Sequence, residues 1–92
     1  MRLLFLGDLV GRAGRGAAIE ALPGLRRELG LDFVVVNAEN AASGYGLTAP
    51  IAQQILAAGA DVITLGDHAF DQKDMLDHVA RESRVLRPLN FA

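Results

Sequence analysis

The sequence predicts an α/β fold built on a parallel sheet, in the order β-α-β-α-β-α-β. Three observations point to it. Short, continuous apolar runs recur along the chain; stretches with apolar residues at helical spacing separate them; and glycine, proline or a capping residue marks most of the junctions. Strands joined through helices run parallel. Runs that are apolar at every position imply strands buried on both faces, with helices covering both sides of the sheet.

The elements follow in order. Leu3-Leu4-Phe5-Leu6 is the first strand, ended by Gly7. Residues 14–29 are helical in character, with Ile19, Leu22, Leu25, Arg26 and Leu29 near helical spacing. Pro23-Gly24 interrupts this stretch and predicts a kink or two short helices. Phe33-Val34-Val35-Val36 is the second strand, followed by a loop, Ala41 to Leu47, that contains two glycines. Thr48 can cap the next helix, Pro50 suits its first turn, Ile51, Ile55 and Leu56 form its apolar face, and Gly59 ends it. Val62-Ile63-Thr64-Leu65 is the third strand. Asp71 caps a third helix, with Asp74 in its first turn, Met75, Leu76 and Val79 turned inward, and His78 on its surface. Val85-Leu86 before Arg87-Pro88 is the fourth strand, and Pro88 ends its pairing or puts it at an edge.

Bulk properties narrow the function classes. The 92 residues suit one small domain, spanning 1–92, with no linker, low-complexity segment or convincing repeat. The chain is 51% hydrophobic and 22% charged, the balance of a globular protein. A net charge of −2 gives no basic surface for a sequence-independent grip on long nucleic acid. No apolar stretch approaches the roughly 18 residues of a membrane span. The start of the chain does not read as a signal peptide, because Arg2 is followed by only four apolar residues before Gly7. Cysteine is absent, which rules out disulfides and thiolate zinc sites and fits a reducing, cytoplasmic setting.

In a parallel sheet, whatever follows each strand collects along one edge, and ligand sites of open α/β sheets lie there. Asp8 follows the first strand, Asn37-Ala38-Glu39-Asn40 the second, Asp67-His68 the third and Asn90 the fourth. Asp8, Glu39 and Asp67 packed together would repel one another, so such a cluster either raises a carboxyl pKa or binds a cation. Carboxylate, amide and imidazole donors suit Mn, Fe, Mg or Zn. Any one of these acids could instead serve as a plain helix cap; three successive strand exits favour a site. His68 beside a metal cluster becomes a candidate general acid. Arg12 and Arg15 could meet a phosphate or remain solvated. Tyr45, between two glycines, could stack on a base or plug its loop onto the domain. The stretch GRAGRG matches neither G-x-G-x-x-G nor the P-loop, which argues against a dinucleotide-binding fold.

Four segments, FLGDLVGRAGR, VVVNAENAASGYGLT, GADVITLGDHAFD and LRPLNF, come in this order and together resemble the bacterial calcineurin-like metallophosphoesterases, in the branch acting on 2′,3′-cyclic nucleotides. The resemblance implies an α/β sandwich whose site holds two divalent metal ions (Fe, Mn or Mg), with a small phosphodiester or cyclic nucleotide as substrate. Carried over position by position, it makes Asp8 and Asn40 ligands of the first metal, Glu39 the bridge between both, position 67 a ligand of the second, and His68 the general acid. Two departures accompany it. The family has asparagine where this chain has Asp67, which adds negative charge, tightens metal binding and repels phosphate. The family's further histidine ligands lie in a C-terminal part not matched here, so the chain is expected to be an N-terminal portion with an incomplete site and weak or no activity. Half of such a sandwich exposes a sheet face or edge, so a homo-oligomer is expected. The alternative is a non-catalytic α/β module that binds a metal ion or small phosphate, or only assembles with itself.

Overall fold

The computed structural model describes residues 1–7, 9–39, 41, 47–66, 78–79 and 81–87. Four strands, β1 (Leu3–Leu6), β2 (Phe33–Asn37), β3 (Val62–Thr64) and β4 (Val85–Leu86), form one sheet in the order β1-β2-β3-β4, with every pair parallel. Helix α1 (Gly11–Glu28) joins β1 to β2, and α2 (Ala49–Ala58) joins β2 to β3. The expected α/β class, the four strands and the parallel pairing are all present.

Among the described residues, one face of the sheet is left open, against the expectation of helices on both faces. Strand order never reverses, and right-handed crossovers between sequential neighbours all fall on the same side. A doubly wound sheet needs a reversal to send later helices to the opposite side. Burial alternates accordingly along the strands. Val34, Val36, Ile63 and Val85 turn toward the helices and are buried, with Leu4 and Leu6 packed against the same core. The register sets Leu3 beside Phe33, Phe5 beside Val35, and Val35 beside Val62 on the other face. There Leu3 is 60% exposed, Phe5 59% and Leu86 48%.

Helix α1 closes the core with Ala18 and Leu22, and α2 with Ala52, Ile55 and Leu56. Each large side chain buried here contributes about 1.5–3 kcal/mol. Contrary to the expected break, α1 runs unbroken through Pro23. Pro23 is exposed, so the Ile19 carbonyl that loses its helical partner can be met by water, while fully buried Leu22 anchors the same turn. Helix α2 is bounded as the sequence suggests: the Thr48 hydroxyl accepts from the Ile51 N–H at 3.4 Å, Pro50 lies in the first turn, and Gly59 ends the helix at φ 130°.

His78 is not on the surface. It is 9% exposed, and its Nε2 lies 3.5 Å from Nε2 of Gln53 on α2. Its helical segment packs beside α2 on the covered side, with Val79 against the core as expected. The rest of the expected third helix, including Asp71, Asp74, Met75 and Leu76, lies outside the described residues, as does Pro88. Among the described residues, no helix is long and apolar enough to cross a membrane.

The edge where the strands begin is tied by charge. Arg26, in the last turn of α1, donates to Asp61 Oδ2 at 2.6 Å, to the Gly59 carbonyl at 2.9 Å and to the Asp32 carbonyl at 3.3 Å. Asp61 Oδ2 also accepts from the Val34 N–H at 2.8 Å. The Arg2 N–H donates to Asp32 Oδ2 at 2.8 Å, and its guanidinium to the Leu29 carbonyl at 2.7 Å. Partial desolvation alone would raise the Asp61 pKa; the Arg26 hydrogen bond, the Val34 N–H and the Arg26 charge outweigh it and hold the carboxyl below its ordinary value. The stabilisation is therefore complete above the unfolded-state pKa and disappears as pH falls through the folded-state value. Asp61→Asn should lower stability at neutral pH by about 1–2 kcal/mol. It should also flatten the loss of stability between about pH 5 and pH 3. Thermal melts at stepped pH check this; a constant gap between variant and parent at every pH would assign the acid limb to other groups.

Candidate functional site

The opposite edge, where the strands end, is stitched by main-chain hydrogen bonds. The Leu9 N–H donates to the Asn37 carbonyl at 3.2 Å, Ala38 N–H to the Thr64 carbonyl at 3.1 Å, and Leu65 N–H to the Leu86 carbonyl at 2.9 Å. The chain beyond each strand is thus held to the next. Asn37 Nδ2 adds a bond to Thr64 Oγ1 at 3.4 Å.

Glu39 projects from a tight turn at this edge. The Ala41 N–H donates to the Ala38 carbonyl at 3.2 Å and closes the turn, and Ala38 and Ala41 are fully buried. The Glu39 side chain lies directly against Gly66, which follows β3. A Cβ at position 66 would overlap its carboxylate, coming 2.6 Å from Oε1 and closer still to Oε2 and Cδ. Gly66 therefore provides space rather than an unusual turn: its φ lies outside the left-handed region, and what excludes a side chain is the carboxylate. The second and third strand exits converge here, with both oxygens of one carboxylate at the junction. Among the described residues, no group donates a hydrogen bond or ion pair to that carboxylate.

Helix α1 begins beside the same edge. Its N-cap, Val10, supplies no side-chain hydrogen bond, and its first turn holds no acidic residue. The positive end of the helix dipole is therefore left uncompensated by its own first turn. Arg12 is exposed in that turn. Arg15, a candidate for phosphate contact, instead donates from Nη1 to the Ala41 carbonyl at 2.9 Å.

Of the sequence-derived site residues, Glu39 and Arg12 are described. Asp8, Asn40, Tyr45, Asp67 and His68 lie outside the described residues. Among the described residues, no three histidine or acidic side chains gather to hold a metal ion. Gly66 was not singled out from sequence. Its signal is the strand register: continuing the pairing of Asn37 with Thr64 by two residues sets position 39 opposite position 66.

Comparison with known proteins agrees with this fold. Residues 4–92 match the family described as YmdB-like protein. A 2′,3′-cyclic-nucleotide 2′-phosphodiesterase of Bacillus subtilis (strain 168) is 42% identical over 91 residues, covering 99% of this chain and 34% of that protein. The crystal structure of a hypothetical protein from Thermus thermophilus superposes with a TM-score of 0.91 at 39% identity, over 100% of this chain and 35% of that one. A structure titled as a novel phosphatase, from Mycoplasma pneumoniae, gives 0.87 at 39% identity, over 96% of this chain and 31% of that one. The chain thus spans about a third of the length of the relatives it matches. On the strength of a match over nearly its whole length and of a shared fold, the chain belongs to the YmdB-like protein family.

Proposed function

We propose that this chain carries part of the metal centre of a phosphodiesterase that hydrolyses 2′,3′-cyclic nucleotides. The observation that supports the reading most is the Glu39 carboxylate, lodged against Gly66 at the junction of two strand exits with no partner among the described residues. A protein gains nothing in stability from an acid left so; a bound cation gives it a counter-charge. Gly66 leaves room for this carboxylate at the junction, and carboxylate oxygens are donors that suit a hard divalent ion.

In this reading Glu39 would be shared by two metal ions, with Asp8 and Asn40 helping to hold the first and Asp67 the second. Such ions, when bound, would supply charge for the phosphate oxygens, a water of lowered pKa and stabilisation of the transition state. His68 donates the proton that the leaving oxygen needs. Arg12 and the α1 N-terminus favour an anionic substrate at this edge, and Tyr45 stacks on its base. In the longer relatives, the remaining length would supply further ligands.

Mn²⁺ titration by calorimetry tests this. The parent chain should bind Mn²⁺, and Glu39→Gln should weaken binding by about tenfold or more. Gly66→Ala should do the same by displacing the carboxylate, yet cost less than about 1 kcal/mol in stability, because only the end of a flexible side chain must move. Any turnover of a chromogenic phosphodiester should vanish in Asp8→Ala and His68→Ala. Mn²⁺ binding that ignores Glu39→Gln, or no binding by the parent, would overturn the reading.

The exposed sheet face supports a second reading, a module that assembles with itself. Leu3, Phe5 and Leu86 are each about half exposed or more on one face of a sheet, a patch that single soluble chains rarely leave open. Self-association through this face should give a dimer or larger species in sedimentation, reduced to monomer by Phe5→Lys; a monomeric parent chain would dismiss it.

A further inference from the structure

Among the described residues, three hydrogen bonds hold the turn that presents Glu39. At its base, Ala38 N–H donates to the Thr64 carbonyl of β3 at 3.1 Å. Across it, Ala41 N–H donates to the Ala38 carbonyl at 3.2 Å. At its far end, the Ala41 carbonyl accepts from Arg15 Nη1 at 2.9 Å, a side chain 26 residues earlier in the chain. The first two bonds lie within the sheet edge and the turn itself. The third is the tie from the turn to the helix layer. It is charge-assisted, partly buried and aimed at the main chain of a fully buried residue. Among the described residues, Arg15 is what ties this end of the turn to the helix layer.

We infer that Arg15 is a positioning residue: by holding the Ala41 carbonyl it fixes the turn that sets the Glu39 carboxylate against Gly66. It acts through the main chain and touches no ligand. The inference rests on the reading of Glu39 as a metal ligand for its effect on binding, and on the geometry alone for its effect on the turn. Direct contact of Arg15 with a phosphate is the competing role; one bond to the Ala41 carbonyl leaves the guanidinium further N–H groups, so the exchange rate of the Ala41 amide, not occupancy of the guanidinium, separates the two.

Arg15→Met keeps the aliphatic stem and removes the donor; Arg15→Lys restores one. The 92-residue chain and both variants are compared in phosphate-free buffer by amide hydrogen exchange, thermal melting and Mn²⁺ titration. In Arg15→Met, exchange of the Ala41 amide should speed up by about tenfold while amides of β2 and β3 keep their rates, and Mn²⁺ affinity should fall by roughly tenfold. Arg15→Lys should recover most of both. Unchanged Ala41 exchange in Arg15→Met overturns the inference, and so does an equal loss of protection at every amide, which would make Arg15 a general stabiliser. Mn²⁺ affinity that falls with Ala41 exchange unchanged would point to a direct electrostatic role and also overturn it. If the parent chain binds no Mn²⁺, the metal reading fails separately, and the Ala41 exchange rate alone decides the role of Arg15.

Discussion

Everything in this fold follows from the handedness of its crossovers. Each strand pairs with its sequence neighbour, in parallel, from β1 to β4. Right-handed connections between such neighbours can only stack on one side. That single constraint places Leu22 and Ile55 of the two helices over Val34, Val36 and Ile63, and leaves Leu3 and Phe5 open. Parallel pairing, for its part, sends every strand exit to the same edge. The one-sided core and the shared exit edge both trace to this strand order.

The two edges of the sheet treat carboxylates in opposite ways. At the strand entries, Asp61 accepts from Arg26 and from the Val34 N–H, and its charge is stabilised so fully that its pKa drops. The guanidinium also closes two carbonyls, so the group acts as a clamp between α1, the start of β2 and the start of β3. At the strand exits, Glu39 has no donor among the described residues, although its carboxylate is tightly confined by Gly66. Asp61 thus ties elements of the fold together, whereas Glu39 makes no such tie among the described residues. The Arg15 guanidinium, for its part, donates to the Ala41 carbonyl of the turn that carries this charge.

Much of the fold was legible because its signals are local. Thr48, Pro50 and Gly59 bound α2 through short-range chemistry, and the apolar runs of β1 to β4 mark strands wherever they pair. What failed depends on tertiary context. Apolar runs such as Leu3–Leu6 look the same whether one face is covered or two, and only strand order decides. Pro23 breaks a helix when its neighbours need the lost bond; on an exposed face with Leu22 buried beside it, the helix continues. His78 reads as a surface residue until Gln53 of α2 is found beside it. In the site, Glu39 was legible as an acid after a strand, whereas its contact with Gly66 requires the register between β2 and β3. Arg15 was legible as a cation near the edge, but a main-chain carbonyl as its partner leaves no trace in composition or spacing.

The open face and the site are not independent. Along that face, apolar positions (Phe33, Val35 and Val62) give way to Asn37 and Thr64 at the exit edge, where their side chains join in a hydrogen bond. Glu39 lies two residues beyond Asn37. Any layer that covers the apolar positions therefore ends beside the turn that carries the carboxylate. Covering it removes water from one side of that edge, and charges in a drier setting interact more strongly. A cation held by Glu39 would thus be bound more tightly when the face is covered than when it is open. By the reciprocity of linked equilibria, the cation would favour the covered state by the same factor. A layer over the open face and a cation at Glu39 would then be two halves of one linked equilibrium.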